Sequence, residues 1–182
     1  MPTPSIESDG VTALDAPAEA LAGRPFVELV APLIPAAQRL AFGMLQNAHE
    51  CEDAVQDATF KAWRAFPRFR VGSNVRAWFL TIVANECRQR RRSRWWSIVR
   101  VAAPAVEDSA AAGLGEDAID LRSALNRLPS EMKLALVLRY YLDLPFAEVG
   151  RVLHVSEKAA KARVHRALAR LRIDVPEIHA GA

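Results

Sequence analysis

From Phe26 to Gln46 apolar residues return at helical spacing: Phe26, Val27 and Val30, then Leu33 and Ile34, then Leu40, Ala41, Met44 and Leu45. Residues three and four apart share one helix face. Pro32 and Pro35 interrupt the pattern. Proline lacks an amide proton and clashes with the preceding turn, so a kinked helix or two short ones are predicted. A second helix is predicted from His49 to Phe66, ended by Pro67, and FRVGSN with Gly72 reads as a loop. Asn74 suits the N-cap of the next helix. There Val75, Trp78, Phe79, Ile82, Val83 and Cys87 make one stripe for burial, while Arg76, Thr81, Asn85, Arg88 and Arg92 face away from it. Aromatic residues on such a stripe usually pack, so Trp78 and Phe79 belong to the predicted core. Residues 101–117 are small, acidic and rich in Ala and Gly, the composition of a linker.

The helical pattern then resumes. Ser130 fits an N-cap, with Glu131 in the first turn favouring the helix dipole. Pro145 suits a first helical position, and Ser156 with Glu157 opens the last helix. No strand-like alternation stands out. The fold class read from the pattern is all-α: two small helical domains, 24–100 and 118–175, joined by a flexible linker, the second a helix-turn-helix. Residues 1–23 lack periodicity and read as a disordered tail; 176–182 form a short C-terminal tail.

Charge sharpens this outline. The net charge of +3 conceals segregation. Residues 1–23 hold acids and no Lys or Arg, whereas residues 61–100 hold Lys61 and a run of Arg culminating in Arg88, Arg90, Arg91, Arg92 and Arg94, against Glu86 alone. Such a block points to nucleic acid or another anionic surface; a solvated basic face is the plainer alternative. The N-terminus has no basic start and no apolar core of a secretory signal. No apolar run approaches the ~18 residues of a membrane span. The two cysteines, Cys51 and Cys87, lack CxxC company and read as buried thiols in a reducing cytoplasm.

In the second half, Val149, Val152 and Leu153 would bury the first helix of a helix-turn-helix, Val155 the turn, and Ala160 and Val164 the second helix. Glu157, Lys158, Lys161, Ala162, His165 and Arg166 then remain for a major groove. The bases supply salt-sensitive phosphate attraction, and side chains one turn into the helix can reach base edges. The bland alternative makes Lys161, Arg163, Arg166, Arg170 and Arg172 the wet side of a bundle.

The stretch LNRLPSEMKLALVLRYYLDLPFAEVGRVLHVSEKAAKARVHRALARLR resembles the promoter-binding C-terminal domain of extracytoplasmic-function (ECF, group IV) sigma factors of the sigma-70 family. Residues 53–63 and 76–92 resemble that family's first conserved domain, with its D-x-V-Q-[DE] helix and its R-A-W-x-x-x-I-x-x-N helix. The resemblance spans residues 24 to 173 and implies an alternative sigma factor. By this likeness Asp53, Gln56 and Asp57 would dock on the clamp helices of core RNA polymerase, with a further contact at its flap. Asn74, Arg76, Asn85, Arg88, Gln89 and Arg92, with the loop Phe69–Asn74, would recognise the opened promoter element near minus ten. Ser156, Lys158, Lys161, Ala162, Arg163, His165 and Arg166 would read the element near minus thirty-five. The linker would thread toward the active-site and RNA-exit region. An anti-sigma factor wedged between the domains, a stress or envelope response, and a cytoplasmic protein without membrane insertion are implied as well.

The sequence departs from the pattern at Gly150, at His154 in place of the turn glycine, at Ala160-Lys161-Ala162 in place of V-K-S, and at Gln89 in place of a common Asp. Gly150 is expected to weaken its helix slightly, and His154 to tolerate a left-handed turn. On the residues alone, Asp53 and Asp57 share a helix face. They could serve a protein partner or simply balance Lys61 and Arg64 on a solvated surface. No catalytic constellation, cofactor motif or metal-ligand spacing is present, so no cofactor and no metal are expected. An autonomous helix-turn-helix regulator would account for residues 120–173 but not for the first domain.

Overall fold

Proline placement explains the first turns of the chain. The computed structural model describes residues 25–70, 72–101 and 116–174, with side chains for 25–70, 72–93 and 120–173. The expected N-terminal tail, nearly all of the linker and the C-terminal tail lie outside these residues. Helix α1 (Phe26–Val30) passes through a 3-10 turn at Ala31–Leu33 into α2 (Ile34–Leu45), with Pro32 and Pro35 each in the first positions of a segment. Together Phe26–Leu45 reaches the length and mean hydropathy, 1.2, of a membrane span, contrary to the sequence expectation. The prolines divide it, and Val30, Leu33, Ala37, Leu40, Ala41 and Met44 are spent on the core.

Helix α3 (Ala48–Ala65) starts one residue earlier than expected because Asn47 caps it, accepting from the Glu50 amide at 2.9 Å. Its predicted end at Pro67 becomes a 3-10 turn, Phe66–Arg68. Helix α4 (Val75–Val101) is capped by Asn74, whose side-chain oxygen accepts from the Ala77 amide at 2.8 Å. The predicted stripe is the buried one: Phe79, Val83 and Cys87 are fully enclosed. Trp78 is only partly buried and packs on Phe69, with ring centroids 4.8 Å apart. Helices α2, α3 and α4 pack against one another to form the first domain.

The second domain comprises α5 (Glu116–Arg127), α6 (Ser130–Leu136), α7 (Phe146–Leu153) and α8 (Glu157–Asp174). Two predicted helix starts shift by one residue. Pro129, not Ser130, is the N-cap of α6, and Pro145 caps α7 rather than entering it. After α6 the chain widens into a π-helical turn, Val137–Tyr141, closed by Leu142 N–H on Val137 O at 3.0 Å. The sequence pattern had continued as one regular helix there. His154 takes the left-handed conformation (φ 54°) that ends α7, and the Ser156 hydroxyl accepts from the Ala159 amide at 3.2 Å at the start of α8. Ala160, Val164, Ala167 and Leu171 bury one face of α8. No strand occurs among the described residues.

The two domains pack against each other, α4 against α7 and α2 against α6 and the π turn. Polar groups of the second domain close the carbonyl end of α2. Lys133, fully buried, donates to Met44 O at 2.9 Å and to Asn126 Oδ1 at 2.7 Å. Arg122 donates to Gln46 O at 2.6 Å, and Asn126 to Gln46 Oε1 at 2.7 Å. A helix C-terminus presents unpaired carbonyls and the negative end of the dipole, so cations suit this position.

Candidate nucleic-acid interface

Three surfaces carry the predicted site residues. On α3, Asp53 is half-buried, and Gln56 and Asp57 are exposed on the same outward face. The suspected pairing of Asp57 with Lys61 is not made. Lys61 instead holds Glu86 at 2.7 Å, while Arg90 on α4 takes Asp57 at 2.6 Å and lies 3.5 Å from Asp53. The acidic and basic helices therefore meet, and Arg90 fixes the two carboxylates on one face. One turn further, Phe60 and Trp63 are 57% and 59% exposed with rings 6.0 Å apart. The sequence reading passed over both. The available signal was their spacing, three and six residues beyond Asp57, which continues the acidic face and not the buried stripe.

On α4, Asn85, Gln89 and Arg92 are exposed. Arg88 is not free: its Nε lies 2.7 Å from Glu131 Oε1, and its Nη2 donates to Oε2 at 3.1 Å. A further Arg88 nitrogen donates to Asn85 at 2.8 Å. Arg76 sits 3.8 Å from Glu148 on α7, and Asn74 has committed its oxygen to capping α4. In the preceding loop, Gly72 takes φ 95°, and Phe69 stacks on Phe66 and packs at a tilt against Trp78. A cleft of about 250 Å³ lies between this loop end and the helix-turn-helix, lined by Asn74, Ala77, Trp78, Thr81, Arg151 and His154. Trp95 and Trp96, which the sequence leaves open between packing on the domain and stacking on single-stranded DNA, have side chains outside the described residues.

On α8, Ser156, Lys158, Lys161, Ala162, His165 and Arg166 are exposed together. Arg163 turns from them and donates to Glu131 at 2.9 Å. The α7–α8 corner is tight. A Cβ on Gly150 would lie 2.8 Å from Val155 O, so the residue expected merely to weaken α7 is what lets the turn close. Both thiols are buried. Burial, reinforced by the neighbouring Cys51 thiol, pushes Cys87 up to about 12, and burial raises Cys51 as well. Thiols so held stay protonated and unreactive. Among the described residues no three His, Cys, Asp or Glu side chains gather into a metal site.

A helix-turn-helix with a basic exposed face, tied to a helical domain that carries both an acidic face and an arginine-rich helix, has the make-up of a DNA-binding protein. Residues 29–97 match sigma-70 region 2, and residues 118–171 match sigma-70 region 4. The ECF RNA polymerase sigma factor SigE of Mycolicibacterium smegmatis is 29% identical over 180 residues, covering 93% of this chain and 68% of that protein. SigM of Mycobacterium tuberculosis is 34% identical over 136 residues, covering 73% of this chain and 68% of SigM. Among solved structures, RpoE of Bartonella quintana in complex with the anti-sigma factor NepR superposes with a TM-score of 0.66. It is 27% identical and covers 83% of this chain and 96% of its own. CnrH in complex with the cytosolic domain of CnrY superposes at 0.61, with 26% identity, covering 91% and 94%. The chain belongs to the extracytoplasmic-function branch of the sigma-70 family. It is an alternative sigma factor, which binds core RNA polymerase and directs promoter-specific transcription initiation. The match to region 2 sets aside the autonomous regulator, which left the first domain without a role.

Proposed function

We propose that α3 docks this sigma factor on core polymerase through Asp53, Gln56 and Asp57, with Phe60 and Trp63 as apolar anchors. The observation that carries this is the continuity of the face: two carboxylates aligned by Arg90 beside two exposed aromatic rings. Carboxylates steer encounter with a basic partner, and aromatic side chains supply most of the affinity at interface centres. Asn85, Gln89 and Arg92, joined by Arg76, Arg88 and Asn74, read the element near minus ten. The exposed face of α8 reads the element near minus thirty-five. Residues 1–23 and 176–182 are tails, and 101–117 connects domains spanning 24–100 and 118–175.

RpoE and CnrH were solved with an anti-sigma factor and with CnrY. An inhibitory partner of that kind is part of the reading here, with a cytoplasmic location and a stress or envelope signal. The chain brings specificity, and catalysis belongs to the polymerase. Co-elution with purified core polymerase tests the docking face. Phe60→Ala and Trp63→Ala each weaken core binding about tenfold or more, the loss expected of an interface hot spot, without lowering the melting temperature. Full core affinity in the double variant would remove these rings from the interface.

A further inference from the structure

On the outer face of α8, long polar side chains flank one small residue. Ala160, Val164, Ala167 and Leu171 form the buried stripe of this helix. At ~100° per residue, Ala162 falls about 170° from the centre of that stripe, almost directly outward. It is exposed there, less than two turns after Glu157, the first residue of α8. Lys158 and His165 lie to one side of it and Arg166 to the other, all of them exposed. Ala169 shares the outward direction but stands about two turns further along, away from the N-terminal end that a helix-turn-helix lays on the bases. That end is well anchored: the Ala160 amide donates to Ser156 O at 2.9 Å, and the Val155 amide to Gly150 O at 2.9 Å.

Side-chain length and polarity then sort the contacts. Lysine and arginine at the flanks reach phosphate oxygens, which position a protein without reading sequence. The single methyl of Ala162 lets the helix approach the groove floor closely, and it offers neither donor nor acceptor there. Every base pair shows hydrogen-bonding groups in the major groove, but only thymine adds an apolar one, its 5-methyl. Against the polar edge of guanine, cytosine or adenine the alanine methyl would displace water and return no hydrogen bond, which leaves those groups unpaired. Against thymine the two methyls bury each other. The family pattern has Ser at this position, in V-K-S, where this chain has Ala160-Lys161-Ala162. A hydroxyl both donates and accepts and so suits several base edges; the methyl narrows the choice.

We infer that Ala162 is a specificity-determining residue: its methyl packs on the 5-methyl of one thymine in the element near minus thirty-five and selects that base. The inference deepens the assignment of α8 to this element and rests on it. Its content is a coupling between two methyl groups, one on the protein and one on the DNA. Burying one such group is worth about fourfold in affinity. Removing either methyl forfeits that factor, and removing both costs no more than removing one.

The test uses holoenzyme assembled from the full chain and purified core polymerase, on a promoter recovered by mapping run-off starts from genomic fragments. Each thymine of the upstream element is exchanged in turn for deoxyuridine, which lacks only the 5-methyl. Affinity is read by competition against the unmodified promoter. One position is expected to show a loss of about fourfold with the parent chain. The same exchange should have almost no effect with Ala162→Gly or Ala162→Ser. With Ala159→Gly, an exposed neighbour on the same helix, the loss should again be about fourfold. Should Ala162→Gly disorder α8 by circular dichroism, the serine variant decides alone. A parent indifferent to uridine at every position overturns the inference. A loss that persists undiminished in the Ala162 variants, or that vanishes in Ala159→Gly, overturns it too, since the reading group is then another. If scrambling the whole upstream element leaves the competition unchanged, the assignment of α8 fails and the inference with it. If scrambling abolishes binding while no uridine weakens it, the inference alone is sunk.

Discussion

At the scale of single residues, the informative positions are those where local propensity and tertiary need disagree. Glycine inside a helix costs up to ~1 kcal/mol against alanine, so Gly150→Ala taken alone should stabilise α7. The added methyl would meet Val155 O at 2.8 Å, and a backbone atom at the turn cannot step aside. Gly150→Ala is therefore expected to destabilise the second domain by about 1–3 kcal/mol, the usual cost of overpacking. Thermal melting would show a drop where propensity alone predicts a rise. The thiols give a pH test. The Cys87 thiol sits at about 12 when folded, against an ordinary value of 9.0. Between these values the unfolded chain has released a proton that the folded chain keeps. The contribution to stability is then complete below pH 9 and is lost as pH rises toward 12. Urea midpoints taken on either side of pH 9 should fall on the alkaline side, and fall less in Cys87→Ala.

At the scale of elements, the apolar periodicity of α4, α7 and α8 led directly to their buried faces. Phe79, Val83, Cys87, Val149, Val152, Leu153, Ala160 and Val164 are all enclosed. Helical spacing constrains which side chains share a side, and burial follows. The π turn after α6 was not legible, because LALVLRYYL has no glycine or proline to mark a change of winding. The widening belongs with packing against α2 at Gly43. Phe60 and Trp63 escaped notice for a related reason: composition places aromatic residues inside, and only the structure shows them outside. The α8 face yields a prediction proper to an element. Lys161 and Arg166 are exposed cations on the face assigned to the element near minus thirty-five, so each is expected to add phosphate attraction to whatever it reads. Lys161→Ala and Arg166→Ala should weaken binding to that element and, to a lesser degree, to every duplex. Each should also reduce the slope of log affinity against log salt by about 1, measured by anisotropy titrations at several salt concentrations.

At the scale of the whole molecule, the order of the two domains and the family were readable because two motif sets stand in sequence with a small-residue linker between them. Their docking together was not. No periodicity announces that Arg88 will find Glu131, that Lys133 will cap α2 through Met44 O, or that Arg122 will reach Gln46. These partners lie far apart in the chain, and each is unremarkable in its own helix. Arg90 makes the same point within the first domain: the sequence places it in the basic block without a site of its own, and it aligns Asp53 and Asp57. The central claim is that this protein redirects polymerase by docking through those two carboxylates. Run-off transcription by purified core polymerase on fragmented genomic DNA, with and without the chain, tests it most directly. The account predicts new starts that share two spaced elements and disappear with Asp53→Arg/Asp57→Arg. New starts that persist undiminished in that variant, or none at all beside tight binding of DNA by the chain alone, would contradict it.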